Sequence, residues 1–248
     1  MLRLAFAAAL AALATGAPPA TAGDEAKTII AKAIEAHGGE ALIKKYQATT
    51  AKFKGKVHTD FGDGDMTGTV QTQGNDKFRF QMNLTLGGSD IAIVSVVDGK
   101  NVWFTFNGAP QEIGKDAEDE SREQMYVGRI ADLRNLDGKD VRLTALGESK
   151  VGDKAAVGVR VSRAGHRDVS LFFDKDKWLL LKSETKVKDP NSGSELTEAK
   201  FYHNYKKVSG VEVPHKVEAR RDGKPYAETE VVEVTLAEKL PDNTFAKP

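Results

Sequence analysis

The first part of the chain carries apolar residues at helical spacing. Over 29–37 these positions recur every three or four residues, a period typical of an amphipathic helix. Gly38 and Gly39 end the pattern, because glycine favours the backbone conformation that follows a helix C-terminus. A second short helix is predicted over 40–46. His37 lies at the end of the apolar stripe, and we interpret it as a structural residue.

From Thr49 onward the period changes to two, which is typical of strands with one face in solvent. Phe53 and Val57, for example, alternate with lysines. Turn-forming pairs, among them Asp98-Gly99 and Asp222-Gly223, divide the pattern into hairpins. About eleven strands are predicted, near residues 49–57, 66–73, 78–84, 91–97, 102–106, 157–162, 169–173, 178–187, 197–207, 211–220 and 226–236.

One helix interrupts this series of strands. Residues 116–133 are rich in helix formers and begin with acidic side chains. A sheet of about eleven antiparallel strands curls, and helices must cover the apolar face that results. The predicted fold class is therefore mainly β with a few helices (α+β). We expect a single curved antiparallel sheet that forms a half-barrel closed by helices.

The N-terminal 22 residues have the features of a secretory signal peptide. Arg3 precedes an apolar segment, Leu4 to Ala14, that is shorter than the ~20 residues a membrane span needs. Ala20-Thr21-Ala22 has the small residues that a signal peptidase recognises. We therefore expect residues 1–22 to be a signal peptide cleaved after Ala22. Residues 23–248 are expected to form a single half-barrel domain in the periplasm.

Composition narrows the function classes. The chain has 248 residues, with 36 Lys and Arg against 36 Asp and Glu. This balance disfavours a nucleic-acid partner, because such proteins neutralise phosphates with excess cations. The absence of cysteine excludes disulfides, thiol catalysis, zinc–thiolate sites and a lipid anchor on the new N-terminus.

Motifs that would carry catalysis or bind metal are weak. Asp60-Phe61-Gly62 and His166-Arg167-Asp168 match two protein-kinase triplets, but in the wrong order and without the glycine-rich loop. Asp60, Asp63 and Asp65 miss the spacing of a calcium loop, and no two histidines are spaced as ligands on one strand or helix. We therefore predict no enzyme activity, no catalytic residue, no metal and no cofactor.

The apolar face of the sheet is the one candidate site. Its aromatic and aliphatic side chains, with those of the helix over 116–133, either fill a solid core or line a cavity for a ligand. The candidate lining residues are Phe78, Phe80, Met82, Ile91, Ile93, Trp103, Phe104, Met125, Ile130 and Leu133.

Short motifs throughout the chain carry a resemblance to a known superfamily. They are the segment 29–39, Lys77-Phe78-Arg79, Val97-Asp98-Gly99-Lys100 with Trp103, Phe173-Asp174 with 179–182, the segment 201–216, and Phe245-Ala246-Lys247-Pro248. With them the chain resembles the outer-membrane lipoprotein-sorting proteins, which are LolA-like and LolB-like. The resemblance implies a half-barrel whose apolar cavity takes lipid acyl chains in the periplasm. The shuttle proteins of this superfamily rely on a lid-stabilising arginine early in the sheet, and this chain has Lys52, Lys54, Lys56 and His58 in that region and no matching arginine.

Two functional hypotheses follow. The first is a monomeric periplasmic carrier or binder of a lipid or a lipid-modified protein, with transient contacts to envelope membranes or their proteins. The second is a non-enzymatic envelope sensor or protein-interaction module with the same fold and a filled core. The second predicts an exposed apolar patch or an edge strand that docks a partner.

Overall fold

The computed structural model describes residues 22–189 and 192–248. The segment 1–21, which holds nearly all of the predicted signal peptide, lies outside the described residues. Three α-helices are described: α1 (Ala22–Ala36), α2 (Glu40–Lys45) and α3 (Lys115–Ala131). A short 3₁₀ helix, Asp242–Phe245, lies close to the C-terminus.

The described strands all belong to one antiparallel sheet. They are β1 (Ala48–Thr59), β2 (Gly62–Gln73), β3 (Lys77–Leu86), β4 (Ser89–Asp98), β5 (Asn101–Phe106), β6 (Ala109–Gln111), β7 (Val141–Val151), β8 (Lys154–Arg163), β9 (Val169–Asp174), β10 (Leu180–Lys188), β11 (Glu195–Val208), β12 (Val211–Arg221) and β13 (Lys224–Ala237). In spatial order they run β6-β5-β4-β3-β2-β1-β13-β12-β11-β10-β9-β8-β7, so two meanders meet where the first strand pairs with the last.

The sheet has 13 strands in the described residues, so the prediction of about eleven was wrong. The two strands missed are the edge strands β6 and β7. β6 has three residues and includes Pro110, and in β7 the alternation is interrupted at Gly147, where the pairing register shifts. Trp178, predicted to open β10, instead lies in the preceding turn with a φ of 59°. Edge strands need no continuous apolar face, and the period-two signal is therefore weak in them.

Contacts of helix α3 show that the sheet is strongly curved. Glu120 forms an ion pair with Arg167, which lies just before β9. Arg122, two residues later, donates hydrogen bonds to the carbonyl oxygens of Gly99 and Lys100 in the β4–β5 turn. β4 and β9 are eight positions apart in the sheet, which is about 38 Å on a flat sheet. Neighbouring residues of one helix reach both only because the sheet bends around it.

Strands β7 to β10 and helices α1 and α3 enclose the main hydrophobic core. Leu171 and Phe173 of β9 and Val159 of β8 are 0% exposed. Ile30 of α1 and Ile130 of α3 cover them from the helix side. This half of the concave face is therefore closed by direct packing of helix against sheet.

The other half of the sheet is packed more loosely on its concave face. Its cluster centres on Phe53, Met66 and Leu84, which are 7–8% exposed, and the surrounding apolar side chains are only half-buried. The 3₁₀ helix covers the convex face instead, with Phe245 2% exposed and Arg79 directed toward the carbonyl oxygen of Thr244. Within residues 22–189 and 192–248, helices do not fill the concave side here, and space remains inside the curve.

Candidate functional site: an internal cavity with a charged end

A cavity of about 710 Å³ lies between the helices and the concave face of the sheet. Its walls come from α2, α3 and strands on both sides of the β1–β13 junction. The side chains that line it include Phe78, Phe80, Val70, Val217, Ala227 and Tyr202. Small or polar residues of α3, among them Gly128 and Ala131, form the helical wall. A stripe of small residues leaves the space that larger side chains would fill.

The apolar wall continues beyond the cavity along β3 and β4. Phe53 and Phe80 stack with their ring centroids 5.8 Å apart, and Phe78 stacks on Phe80 at 6.4 Å. Met82 and Ile91 pack against the same cluster while remaining half-buried. The apolar surface therefore extends from the cavity toward the edge of the sheet.

Strand β11 places polar residues on the cavity side. Glu198, Lys200 and Tyr202 alternate along it and all line the cavity. Asn204 then has a φ of 55°, an uncommon value for a residue other than glycine, and after it Tyr205 lines the cavity. Because of the distortion at Asn204, the next side chain to face the cavity is Tyr205 and not residue 204, as strict alternation would require.

Three charged residues form a cluster at this end of the cavity, and we call Glu198, Lys200 and Arg221 the charged triad. Glu198 is 4% exposed. Its carboxylate oxygens lie 3.1 Å from the Lys200 Nζ and 3.1 Å from the Arg221 Nε. Burial opposes the charge on Glu198, but the two cations hold its pKa below the ordinary value. Burial likewise opposes the charge on Lys200, and Glu198 keeps the Lys200 pKa above its ordinary value.

Hydrogen bonds hold the neighbouring tyrosines and His37 in place. The hydroxyls of Tyr202 and Ser183 lie 2.8 Å apart, and the Tyr205 hydroxyl donates to the carbonyl oxygen of Leu180 at 2.7 Å. Burial lowers the pKa of His37, so its ring is neutral. The Nδ1 of that ring lies 2.7 Å from the carbonyl oxygen of Ala33 and donates to it. These polar groups therefore have hydrogen-bond partners within the protein.

The other end of the cavity is a gap in the sheet. β12 pairs with β13 only over 216–221, and within the described residues 211–215 of β12 pair with β11 alone. The two strands diverge there, and α2 with the corner before it fills the gap. The Glu212 amide donates to the carbonyl oxygen of His37 at 3.1 Å, and Leu42 lines the cavity beside it. Arg134, which follows α3, donates to the carbonyl oxygen of Ile43 at 2.9 Å and holds α2 in place.

The candidate residues from the sequence are distributed over several regions. Phe78 and Phe80 line the cavity. Met82 and Ile91 belong to the looser cluster next to it, with Ile93 opposite Met82 in the β3–β4 pairing. Ile130 and Leu133 belong to the main core, and Met125 is half-buried on α3. Trp103 and Phe104 are adjacent on β5 and stand opposite Val96 and Ser95, so they lie on opposite faces of the sheet.

The polar residues of the cavity were missed from the sequence. In β11 the alternation offers two faces, one with Glu198 and Lys200 and one with Ala199 and Phe201. Hydropathy favours the second as the inner face, but Phe201 instead lies under the Arg220 guanidinium, 5.2 Å from its ring centroid. The pairing of Glu198 with Arg221 across the hairpin is the one signal that was present, and it required the register to be known.

Outside the cavity, a histidine lies close to a carboxylate. His166 lies 3.0 Å from Glu123 and stacks on Tyr126 at 3.9 Å, at the junction of α3 with the loop before β9. Among residues 22–189 and 192–248, no group of three metal-ligating side chains is gathered. In that same part of the chain, helices are too short or too polar to cross a membrane.

Comparison with solved structures identifies the fold. An outer-membrane lipoprotein-sorting protein domain from Vibrio parahaemolyticus matches with a TM-score of 0.58 and 12% identity, over 90% of this chain and 97% of that one. A LolA superfamily protein from Nitrosomonas europaea matches with a TM-score of 0.57 and 16% identity, over 90% and 97%. A DUF1329 family protein from Desulfovibrio piger matches with a TM-score of 0.55 and 10% identity, over 89% and 96%.

These matches define the class of protein by its fold. The architecture is that of LolA superfamily structures, which confirms the resemblance predicted from the short motifs. At 10–16% identity the similarity concerns the fold and not a ligand. No family model and no curated protein matches the sequence.

Proposed function

We propose that this protein is a periplasmic carrier or binder of a lipid or of a lipid-modified protein, with acyl chains held in the cavity. The observation that carries the proposal is the cavity of about 710 Å³ between helices and sheet. Its volume falls in the range of ~300–1,000 Å³ that is usual for small-ligand sites. Its wall is largely aliphatic and aromatic, with the charged triad at one end.

Binding of this kind needs no covalent chemistry. Each methylene group transferred from water to the cavity contributes about 0.8 kcal/mol. The adjacent half-buried surface around Met82 and Ile91 offers further apolar area for a chain longer than the cavity. The hydrogen-bonded groups of the wall stay in place, so that the cost of ordering the site on binding is small.

The cellular location is part of the proposal. The signal peptide predicted at 1–22 directs the chain across the membrane, and the lack of cysteine leaves the new terminus without a lipid anchor. The equal numbers of basic and acidic residues suit a protein that exchanges cargo without a polyanionic partner.

Native mass spectrometry of protein purified from its host's periplasm tests the proposal. We expect mass adducts that correspond to acyl-bearing molecules. In vitro, the neutral probe hexadecanol is expected to bind, measured by calorimetry. Val217→Trp fills the cavity from β12 and is expected to weaken this binding at least tenfold. Val232→Trp is the matched control, because Val232 is 55% exposed at a bulge of β13.

The alternative is a sensor or protein-interaction module. The observation that favours it is Phe61, which is 88% exposed at the tip of the β1–β2 hairpin. If the wild-type protein binds no hexadecanol and retains one defined envelope protein that Phe61→Ser fails to retain, this alternative replaces the carrier proposal.

A further inference from the structure

We propose that the cavity selects amphiphiles with an anionic head, and that Lys200, beside Arg221, binds the head group. This inference rests on the proposed function, since it names the class of ligand for the same cavity. The shared chemistry is a carboxylate or phosphate on an acyl chain. The head lies against the charged triad and the chain along the apolar wall.

The first argument is the charge balance of the triad. Two cations, Lys200 and Arg221, share the single carboxylate of Glu198, which leaves one net positive charge. Like charges repel strongly where water is scarce, and a second anion at this position removes the imbalance. A cationic head would increase the imbalance, and a neutral head would leave it unchanged.

The second argument is the unused hydrogen-bonding capacity of Lys200. An ammonium group has three donors. Within the described residues, Glu198 is the one carboxylate within ion-pair distance of Lys200. Lys200 lines the cavity and keeps 33% of its side-chain surface exposed, whereas Glu198 keeps 4%. The cation therefore remains available to a ligand, and its protein partner does not.

The third argument is the shape of the wall next to Lys200. In the sheet register Lys200 stands opposite Ala219, and Ala219 stands opposite Ala227 on the next strand. Both alanines line the cavity, so the row that crosses β12 and β13 beside the ammonium carries no side chain longer than a methyl group. On β1 the row reaches Val57, which belongs to the cluster around Phe53. A trough of small residues thus connects the cation to the apolar wall.

The remaining charged groups of the cavity wall already have partners. The Asp132 carboxylate lies 3.8 Å from the Arg129 guanidinium, and Glu212 lies 4.0 Å from the Lys207 ammonium. Within the part of the chain that the structure describes, Arg134 is a further cation without a carboxylate partner, but its guanidinium is already engaged with backbone carbonyl oxygens, among them that of Ile43. The triad therefore combines an excess positive charge with an ammonium group that is open to a ligand, and we expect it to set the preferred charge of the head.

The test compares probes with the same chain and different heads. Palmitate, hexadecyl phosphate and hexadecanol are titrated into the full mature protein by calorimetry at neutral pH. We expect at least one anionic probe to bind about tenfold or more tightly than hexadecanol, which corresponds to one charge-assisted hydrogen bond. The stronger of the two anionic probes indicates whether the head is a carboxylate or a phosphate.

Variants of Lys200 test whether this residue causes the preference for anionic probes. Lys200→Met keeps the length of the side chain and removes the charge. It is expected to abolish the preference, so that this variant binds the anionic probe no more tightly than it binds hexadecanol. Lys200→Arg keeps the charge and is expected to keep the preference. Lys206→Met is the matched control, because Lys206 is exposed on the same strand.

The possible results separate the two proposals. If no probe binds, including hexadecanol, the carrier proposal itself fails. If hexadecanol binds and the anionic probes bind no better, the carrier proposal stands and the role of Lys200 is wrong. If Lys200→Met and Lys206→Met behave alike, the preference for anions does not come from the triad, and the inference is overturned.

Discussion

The two halves of this sheet bury the same kind of surface in different ways. On the β7–β10 half, α1 and α3 lie directly on the strands, and the side chains beneath them, such as Phe173 and Leu171, are fully buried. On the β1–β5 half, aromatic side chains such as Phe80 face a cavity and remain half-buried. One continuous sheet is thus closely packed against helices on one side and borders a cavity on the other.

The difference follows from where the helices can reach. α1 contacts β7 and β8, and α3 contacts β9 and β10 before it crosses to the β4–β5 turn. On that crossing α3 turns Ser121, Gly128 and Ala131 toward the opposite wall. These residues are too small to fill the curve of the sheet. A single helix therefore both completes the core and leaves the cavity open.

The largest expected effect contrasts one phenylalanine from each half. Phe173→Ala is expected to lower the free energy of unfolding by about 3–5 kcal/mol, because it leaves a void in a closely packed core. Phe80→Ala is expected to cost about 1–2 kcal/mol, because Phe80 already borders empty space. Urea denaturation of the two variants measures the difference. Equal losses would contradict the comparison between a solid half and an open half.

A smaller effect concerns the charged triad on the open half. Glu198→Gln is expected to cost about 2–3 kcal/mol at neutral pH, since it removes charge-assisted hydrogen bonds from a buried site. The pKa of Glu198 is lowered on folding, so its contribution is present above the ordinary value of about 4.5 and is lost as the pH falls through the folded-state value. When the pH is lowered, the free energy of unfolding of Glu198→Gln should therefore fall by less than that of the wild type.

Glu233→Gln is the matched control for the triad. Glu233 pairs with Lys52 at 2.7 Å, but both side chains are more than half exposed. Exposed pairs of this kind contribute about 0–1 kcal/mol. Chemical denaturation at neutral pH and below pH 4.5 measures both variants. A stability loss in Glu233→Gln as large as that in Glu198→Gln would show that burial of the triad does not matter.

The smallest effect concerns the corner that closes the cavity next to α2. Gly38 has a φ of 121°, and an added Cβ would lie 2.7 Å from the carbonyl oxygen of Gly210. Gly38→Ala is therefore expected to cost about 1–2 kcal/mol and to weaken hexadecanol binding, because the corner and β12 must separate. Gly87→Ala is the control, since a Cβ at Gly87 meets no neighbour within 4 Å. Thermal denaturation compares the two variants. Equal decreases in melting temperature would show that the chain at Gly38 is not closely packed against β12.

Most strands could be predicted from the sequence, because each carries its own period-two pattern and is bounded by turn residues. The ends of α3 were predicted to within a few residues, because its helical pattern also lies in one continuous segment of the chain. The edge strand β7 was missed, since its alternation is interrupted and its neighbour on one side is solvent. Local patterns therefore identified the strands whose alternation is continuous, and failed at an edge strand where the alternation is interrupted.

The site could be predicted only in part. Phe78 and Phe80 were found because they are apolar and share one face of β3. Lys200 was not found, because a charged residue in an alternating pattern indicates the solvent side. Glu198, which forms an ion pair with Lys200, is two residues away in sequence, and Arg221 lies across a hairpin. Their proximity depends on strand register and on the curvature of the sheet.

The sequence by itself determined the antiparallel strands, the positions of the helices and the balanced charge of this protein. These properties depend on residues close together along the chain. Only the tertiary structure decided that α3 spans the curve, that one half of the concave face is filled and the other empty, and that an ion-paired lysine lines the empty part. Period-two alternation tells which side chains share a face of a strand, but the path of a distant helix decides whether that face meets another side chain or a cavity.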